Sequence, residues 1–238
     1  MQEDFCYMPC LLKPAIYLFL YEYFIDCGDV VNYNVDNLLL IAEVNMDINF
    51  KKDQWAEDEL VTAYSFRFTE TPKFTQEDDC IRTAVNENHR EGFDNISLLS
   101  KKTYSAGAKA TLRCSFEGRG CPEIIIVENM EMCEDGAMRY GACFEIIVYK
   151  NGINIWRHYR ENGKCSYYKR LAVEYPVAEN QIHELTLQVL PQKLVFTLNG
   201  QKTTLHTEDL PQSFHMGLTG CEGIARLYSL KIEESSGR

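Results

Sequence analysis

Residues 151–159, NGINIWRHY, alternate Asn154, Trp156 and His158 with Ile153, Ile155 and Arg157, the period-two pattern of a strand with two chemically different faces. An indole stacks on the apolar face of a pyranose, and an amide and an imidazole beside it bond hydroxyls, which is the chemistry a sugar-binding surface requires. The same pattern also fits a strand whose Trp156 is a core ring and whose Arg157 is solvated; burial decides between them. Glu145 lies on the preceding run, YGACFEIIVYK, and the Asn151-Gly152 signal between the two predicts a hairpin that brings one side of each together. Glu222, in GCEGIAR, is flanked by Gly220 and Gly223, which permit close backbone approach at a strand entrance, so its carboxylate can accept bonds from Arg226 or from a ligand. Bond cleavage would need a base and a charge neutraliser in one cleft, and Glu145, His158, Arg157 and Glu222 are the available set. The candidate catalytic residues are therefore Glu145, His158 and Glu222. The candidate substrate-binding residues are Asn154, Trp156, Arg157 and Arg226; Asn154, Trp156 and His158 are expected to line one cleft with Glu145, Glu222 and Arg226.

Strands carry these residues. GAKATLRCSF, at 107–116, alternates Ala108, Ala110, Leu112, Cys114 and Phe116 with polar residues, a half-buried strand. PEIIIVE follows as a further strand after a glycine-bearing turn. HELTLQVL, the break Pro191-Gln192, KLVFTLNG and QKTTLHTE read as a meander, with Leu185, Leu187 and Val189 on one face and Leu194, Phe196 and Leu198 on another. Gly217, Gly220 and Gly223 predict a turn or bulge before a last strand starting near Ile224. His183 and His206, at polar strand ends, are expected to be exposed, and His89 to lie on a surface loop. No linker, low-complexity tract or repeat interrupts the pattern, so residues 1–238 read as one domain, with 1–44 as an N-terminal extension packed on it.

Composition narrows the partners. With 35 acidic and 24 basic residues, the formal charge of −11 repels phosphate backbones and anionic lipid at long range, which disfavours nucleic acid and membrane. The ten cysteines are irregularly spaced and contain no C-x-x-C pair, so they read as reduced, mostly buried thiols. No H-x-H or H-E-x-x-H spacing occurs either, so neither a metal site nor a cofactor is expected. The apolar run AIYLFLYEYFI lacks the basic flank of a secretory signal and the length of a bilayer span. It reads as a buried strand or short helix, and the chain as cytoplasmic.

Three stretches resemble the concanavalin A-like lectin/glucanase superfamily: YSAGAKATLRCSFEG, HELTLQVLPQKLVFTLNGQ and GLTGCEGIARLYSLKIE. The likeness spans roughly residues 45–233, and its motifs are structural. It implies an all-β, antiparallel β-sandwich jelly roll with short helical or loop insertions, whose concave sheet carries a carbohydrate site. The glucanases of this superfamily hold their acid and nucleophile in a Glu-x-Asp-x-x-Glu strand. No stretch here carries that motif, so hydrolysis by that route is not implied. Two functions follow: a carbohydrate-handling protein with a glycan site on the concave face, as a binding module, glycoside hydrolase or polysaccharide lyase; or an interaction β-sandwich whose exposed aromatic strand pairs with another chain.

Overall fold

The stretch GAKATLRCSFEGRGCPEIIIVE forms one strand where the sequence suggests two. In the computed structural model, which describes residues 43–67, 71–85 and 94–234, β6 runs unbroken over Ala108–Val127. Gly118 takes φ +56° and bends the strand without ending it. The closing segment behaves in the same way. β15, His215–Glu234, contains all three glycines, and its register against β6 slips between Glu222 and Ile224. The expected start near Ile224 is therefore a bulge inside a strand that begins at His215.

β6 and β15 pair antiparallel along nearly their whole length, and each serves two sheets. The half of β6 near Val127 and the half of β15 near His215 belong to the front sheet. Its order is β11 (Lys164–Glu174), β10 (Gly152–Glu161), β9 (Cys143–Tyr149), β6, β15, β5 (Ser97–Ser100), β2 (Leu60–Ser65), β8 (Met138–Tyr140) and β7 (Met130–Met132). Only β2 and β8 pair parallel along this path. The other halves belong to the back sheet, with β14 (Gln201–His206), β13 (Lys193–Leu198) and β12 (His183–Leu190) on the β6 side and β1 (Glu43–Asn49) on the β15 side. β4 (Ile81–Arg82), itself paired with β3 (Thr75–Gln76), joins β15 at Arg226 and Leu227. One 3-10 turn, Glu57–Glu59, precedes β2. Among the described residues no helix is long and apolar enough to cross a membrane.

The core lies between the sheets because each strand turns its apolar set the same way. Ile124, Ile126, Phe144, Ile146, Val148, Ile153 and Ile155 from the front meet Leu112, Leu185, Leu187, Leu194, Phe196 and Leu198 from the back, all buried. Each such side chain contributes about 1.5–3 kcal/mol relative to exposure. The meander turns where expected at Asn199-Gly200, with φ +49° and +87°, the left-handed pair a two-residue hairpin requires. The β9–β10 hairpin also forms, but Tyr149 pairs with Gly152, which centres the turn one residue earlier, on Lys150-Asn151. Gly152 is needed for another reason: a Cβ there would lie 1.9 Å from the Val173 carbonyl oxygen.

His183 is buried, contrary to its expected exposure. Its Nε2 bonds the Ala178 carbonyl at 2.7 Å, its Nδ1 lies 2.7 Å from Asn199 Nδ2, and its ring stacks on Phe116. The described residues fall in one compact unit. AIYLFLYEYFI, the packing expected of the N-terminal extension before Glu43, and His89 lie outside the described residues.

Candidate functional site

Because Phe144, Ile146 and Val148 enter the core, Cys143, Glu145, Ile147 and Tyr149 of β9 point from the opposite side of the front sheet. Ile153 and Ile155 likewise turn Asn154, Trp156 and His158 of β10 outward. Ile124 and Ile126 turn out Cys121, Glu123, Ile125 and Val127 of β6, and Met216 and Leu218 do the same for Thr219 and Cys221 of β15. Part of this outward face is covered again. Ala63 of β2 and Tyr140 of β8 pack with Leu99, Ile125, Val127 and Cys143 in a second apolar cluster. The Tyr140 hydroxyl is 2.7 Å from Ser97 Oγ.

Beside that cluster sit titratable side chains with little solvent. Asp94 is 4% exposed, Glu123 0%, Glu145 2% and His158 3%. His158 Nε2 lies 2.8 Å from Glu145 Oε2, yet off the line of a hydrogen bond, and Glu145 Oε1, Asp94 Oδ2 and both Glu123 oxygens also lack a bond of acceptable geometry. Burial, reinforced by the Glu145 charge, pushes the Asp94 and Glu123 carboxyls well above the ordinary carboxylate range. The same two causes, in the same order, push the Cys143 thiol up. Two donor sets converge here, Cys143–Glu145–His158 and Asp94–Glu123–Cys221, and within each the ligand atoms all lie within 4.8 Å of one another.

Toward the sheet edge the face turns aromatic and open. Half-exposed Tyr167 of β11 stands against the His158 ring at 5.8 Å between centroids and the Trp156 ring at 5.9 Å. The Arg67 guanidinium lies over Tyr167, and the Lys169 ammonium lies over Trp156. Trp156 is partly buried and belongs to neither core cluster. The Asn154 Oδ1 atom has no hydrogen-bond partner.

The expected constellation is thus divided. Glu145, His158, Asn154 and Trp156 share one face, but three residues leave it. Arg157 points to the other side of β10, where its guanidinium lies over Phe144 and Tyr159 and pairs with Glu128 at 3.2 Å. Glu222 sits at the bulge with φ +64° and pairs with Arg119 at 3.0 Å. Arg226 belongs to the back-sheet half of β15 and pairs with Glu77 at 2.8 Å and with Glu117. The physical reason for the last two is the bulge, which passes β15 from one sheet to the other between Cys221 and Arg226.

Neither motif nor spacing marks Asp94, Cys143, Tyr167 or Lys169 as site residues. Glu123 had a signal: in PEIIIVE it shares a period-two face with Ile125 and Val127 while standing five residues before Glu128. That is the spacing of the outer glutamates in the glucanase motif, with Ile125 at the place of the aspartate. An unbulged strand sets residues five apart on opposite faces, so Glu123 enters the buried cluster and Glu128 reaches Arg157. They do not form a double-displacement pair. A cleft of about 440 Å3 does open beside Arg157, lined by Phe66, Glu128, Arg139, Tyr159 and Arg160, and neither Trp156 nor Tyr167 lines it.

No protein-family model and no curated protein matches the sequence. The architecture, in contrast, is similar to many solved structures. The fold is a concanavalin A-like jelly-roll β-sandwich. The carbohydrate-binding module CBM66 from Bacillus subtilis has a TM-score of 0.50 at 14% identity, covering 69% of this chain and 92% of that one. β-Agarase A from Zobellia galactanivorans has a TM-score of 0.56 at 9% identity, covering 81% and 92%. A β-porphyranase from the human gut bacterium Bacteroides plebeius has a TM-score of 0.53 at 9% identity, covering 81% and 91%. At such identities the likeness shows the fold alone.

Proposed function

We propose that this chain binds a carbohydrate on the outward face of β9–β11 as a binding module, with Trp156 and Tyr167 as stacking rings and Asn154 and Lys169 as hydroxyl partners. The observation that carries this is the continuous ring contact Trp156–Tyr167–His158 on a face turned away from the core. Rings held by neighbours offer a sugar flat apolar area at little entropic cost. The names of the fold relatives, a carbohydrate-binding module, an agarase and a porphyranase, support the same reading. Binding is favoured over hydrolysis because Glu145 and His158 are almost fully buried against each other and Glu222 is on another part of the molecule. The seven described cysteines are free thiols, which supports a reducing compartment and the cytoplasmic location we propose.

The test is a glycan array followed by calorimetry on the best ligand, with wild type and Trp156→Ala. The variant is expected to fold and to lose about 1–3 kcal/mol of binding, the size of a buried aromatic contact. Wild type that retains no glycan, or a variant that binds as tightly, overturns the proposal. Concentration-dependent self-association through β11, the open edge of the front sheet, would favour the interaction role instead.

A further inference from the structure

We propose that Cys143, Glu145 and His158 form a site for one divalent transition-metal ion of the zinc class, with a coordination position left open. The register produces the arrangement. On the antiparallel pair β9–β10, Cys143 lies directly opposite His158, and Glu145, two residues further along β9, takes the adjacent position on the same face. One sulfur, one oxygen and one nitrogen donor therefore converge from a rigid sheet, with ligand atoms mutually within 4.8 Å. Donors about 2.0–2.3 Å from a tetrahedral zinc lie roughly 3.4–3.8 Å from each other, so small rotamer adjustments suffice. Three protein ligands of this kind leave the fourth position to water or a ligand.

Two further observations point to an ion. Glu145 Oε1 and His158 Nε2, on residues 2% and 3% exposed, have no hydrogen bond, although the two side chains stand 2.8 Å apart. Buried polar atoms left in that condition are costly unless something coordinates them. Charge also balances. A thiolate, a carboxylate, a neutral imidazole and a divalent ion sum to zero, whereas Asp94, Glu123 and Cys221 around the same ion would leave a buried net charge of −1. Binding releases the Cys143 thiol proton as the S–metal bond forms, so affinity rises with pH. The site does not depend on sugar binding, and its readout is the metal alone.

The experiment is stoichiometric addition of Co(II) to the chelator-stripped full chain, followed by displacement with Zn(II). One equivalent of Co(II) is expected to give a thiolate-to-cobalt charge-transfer band with tetrahedral d–d absorption. Cys143→Ser should abolish the thiolate band, and His158→Ala and Glu145→Gln should each weaken Zn(II) affinity more than about 10-fold. Cys165→Ser, on an exposed residue, should change neither. Absence of a thiolate band in wild type overturns the proposal without recourse to any variant. A band that survives Cys143→Ser but is lost in Cys221→Ser overturns it in favour of the second donor set.

Discussion

His158 reaches Glu145 diagonally: the register sets Glu145 opposite Trp156 and His158 opposite Cys143, yet it is the His158 and Glu145 side chains that meet, at 2.8 Å. The indole opposite Glu145 instead leans toward Tyr167 on β11. A nearly dry carboxylate–imidazole pair thus lies beneath an aromatic surface.

Breaking that pair from one side is expected to be costly. In metal-free protein, His158→Ala leaves the buried Glu145 carboxyl group without its neighbour and should lose about 1–3 kcal/mol in denaturant unfolding. Replacing both residues by Leu should cost less than the single change, since the desolvation of both groups disappears. A His158→Ala loss under about 1 kcal/mol would show that the pair is irrelevant to stability.

Glu123 should behave in the opposite sense. Its folded pKa is raised, first by burial and then by the Glu145 charge, so ionisation opposes folding. The penalty is absent below the unfolded value of about 4.3 and grows as pH rises toward the folded value. Glu123→Gln should therefore be more stable than wild type at neutral pH, with the advantage vanishing near pH 4. Unfolding free energies measured across that range check the sign, and a variant equally destabilised at both ends contradicts it.

Asp209 supplies the acid limb. The Tyr159 hydroxyl, at 2.5 Å, together with Arg170 and Thr207, lowers its carboxyl to about 2. A depressed folded pKa stabilises above the unfolded value of about 3.9, and that contribution is lost as pH falls through the folded value. Asp209→Asn should lower the melting temperature at neutral pH and converge with wild type near pH 2. Parallel curves down to pH 2 would rule out this linkage.

The crossing of β6 and β15 should tolerate no side chain at Gly120. A Cβ there would lie 1.9 Å from the Ile224 carbonyl oxygen, so Gly120→Ala must shift the paired backbone and should cost about 3 kcal/mol or more. Gly118, at φ +56° with nothing within 4 Å of its Cβ position, carries only the conformational penalty, about 1 kcal/mol for Ala. Thermal melts of the two variants should separate clearly, and equal losses would disprove the steric account.

Only local features follow from the order of residues. Alternation put Leu185, Leu187 and Val189 in the core, and it put Asn154, Trp156 and His158 on one face with Glu145, because a strand has period two and a short turn fixes which neighbour it meets. Everything that depends on where a strand goes next comes from long-range pairing. Gly118 and the Glu222 bulge carry β6 and β15 from one sheet to the other, which removes Glu222 and Arg226 from the face that their neighbour Cys221 still shares. Asp94 and Glu123 reach Glu145 from segments remote in sequence, and Tyr140 of β8 then packs against part of that face. Long-range pairing of this kind leaves no periodic trace, since it is chosen by the burial of the whole sheet and not by any one strand.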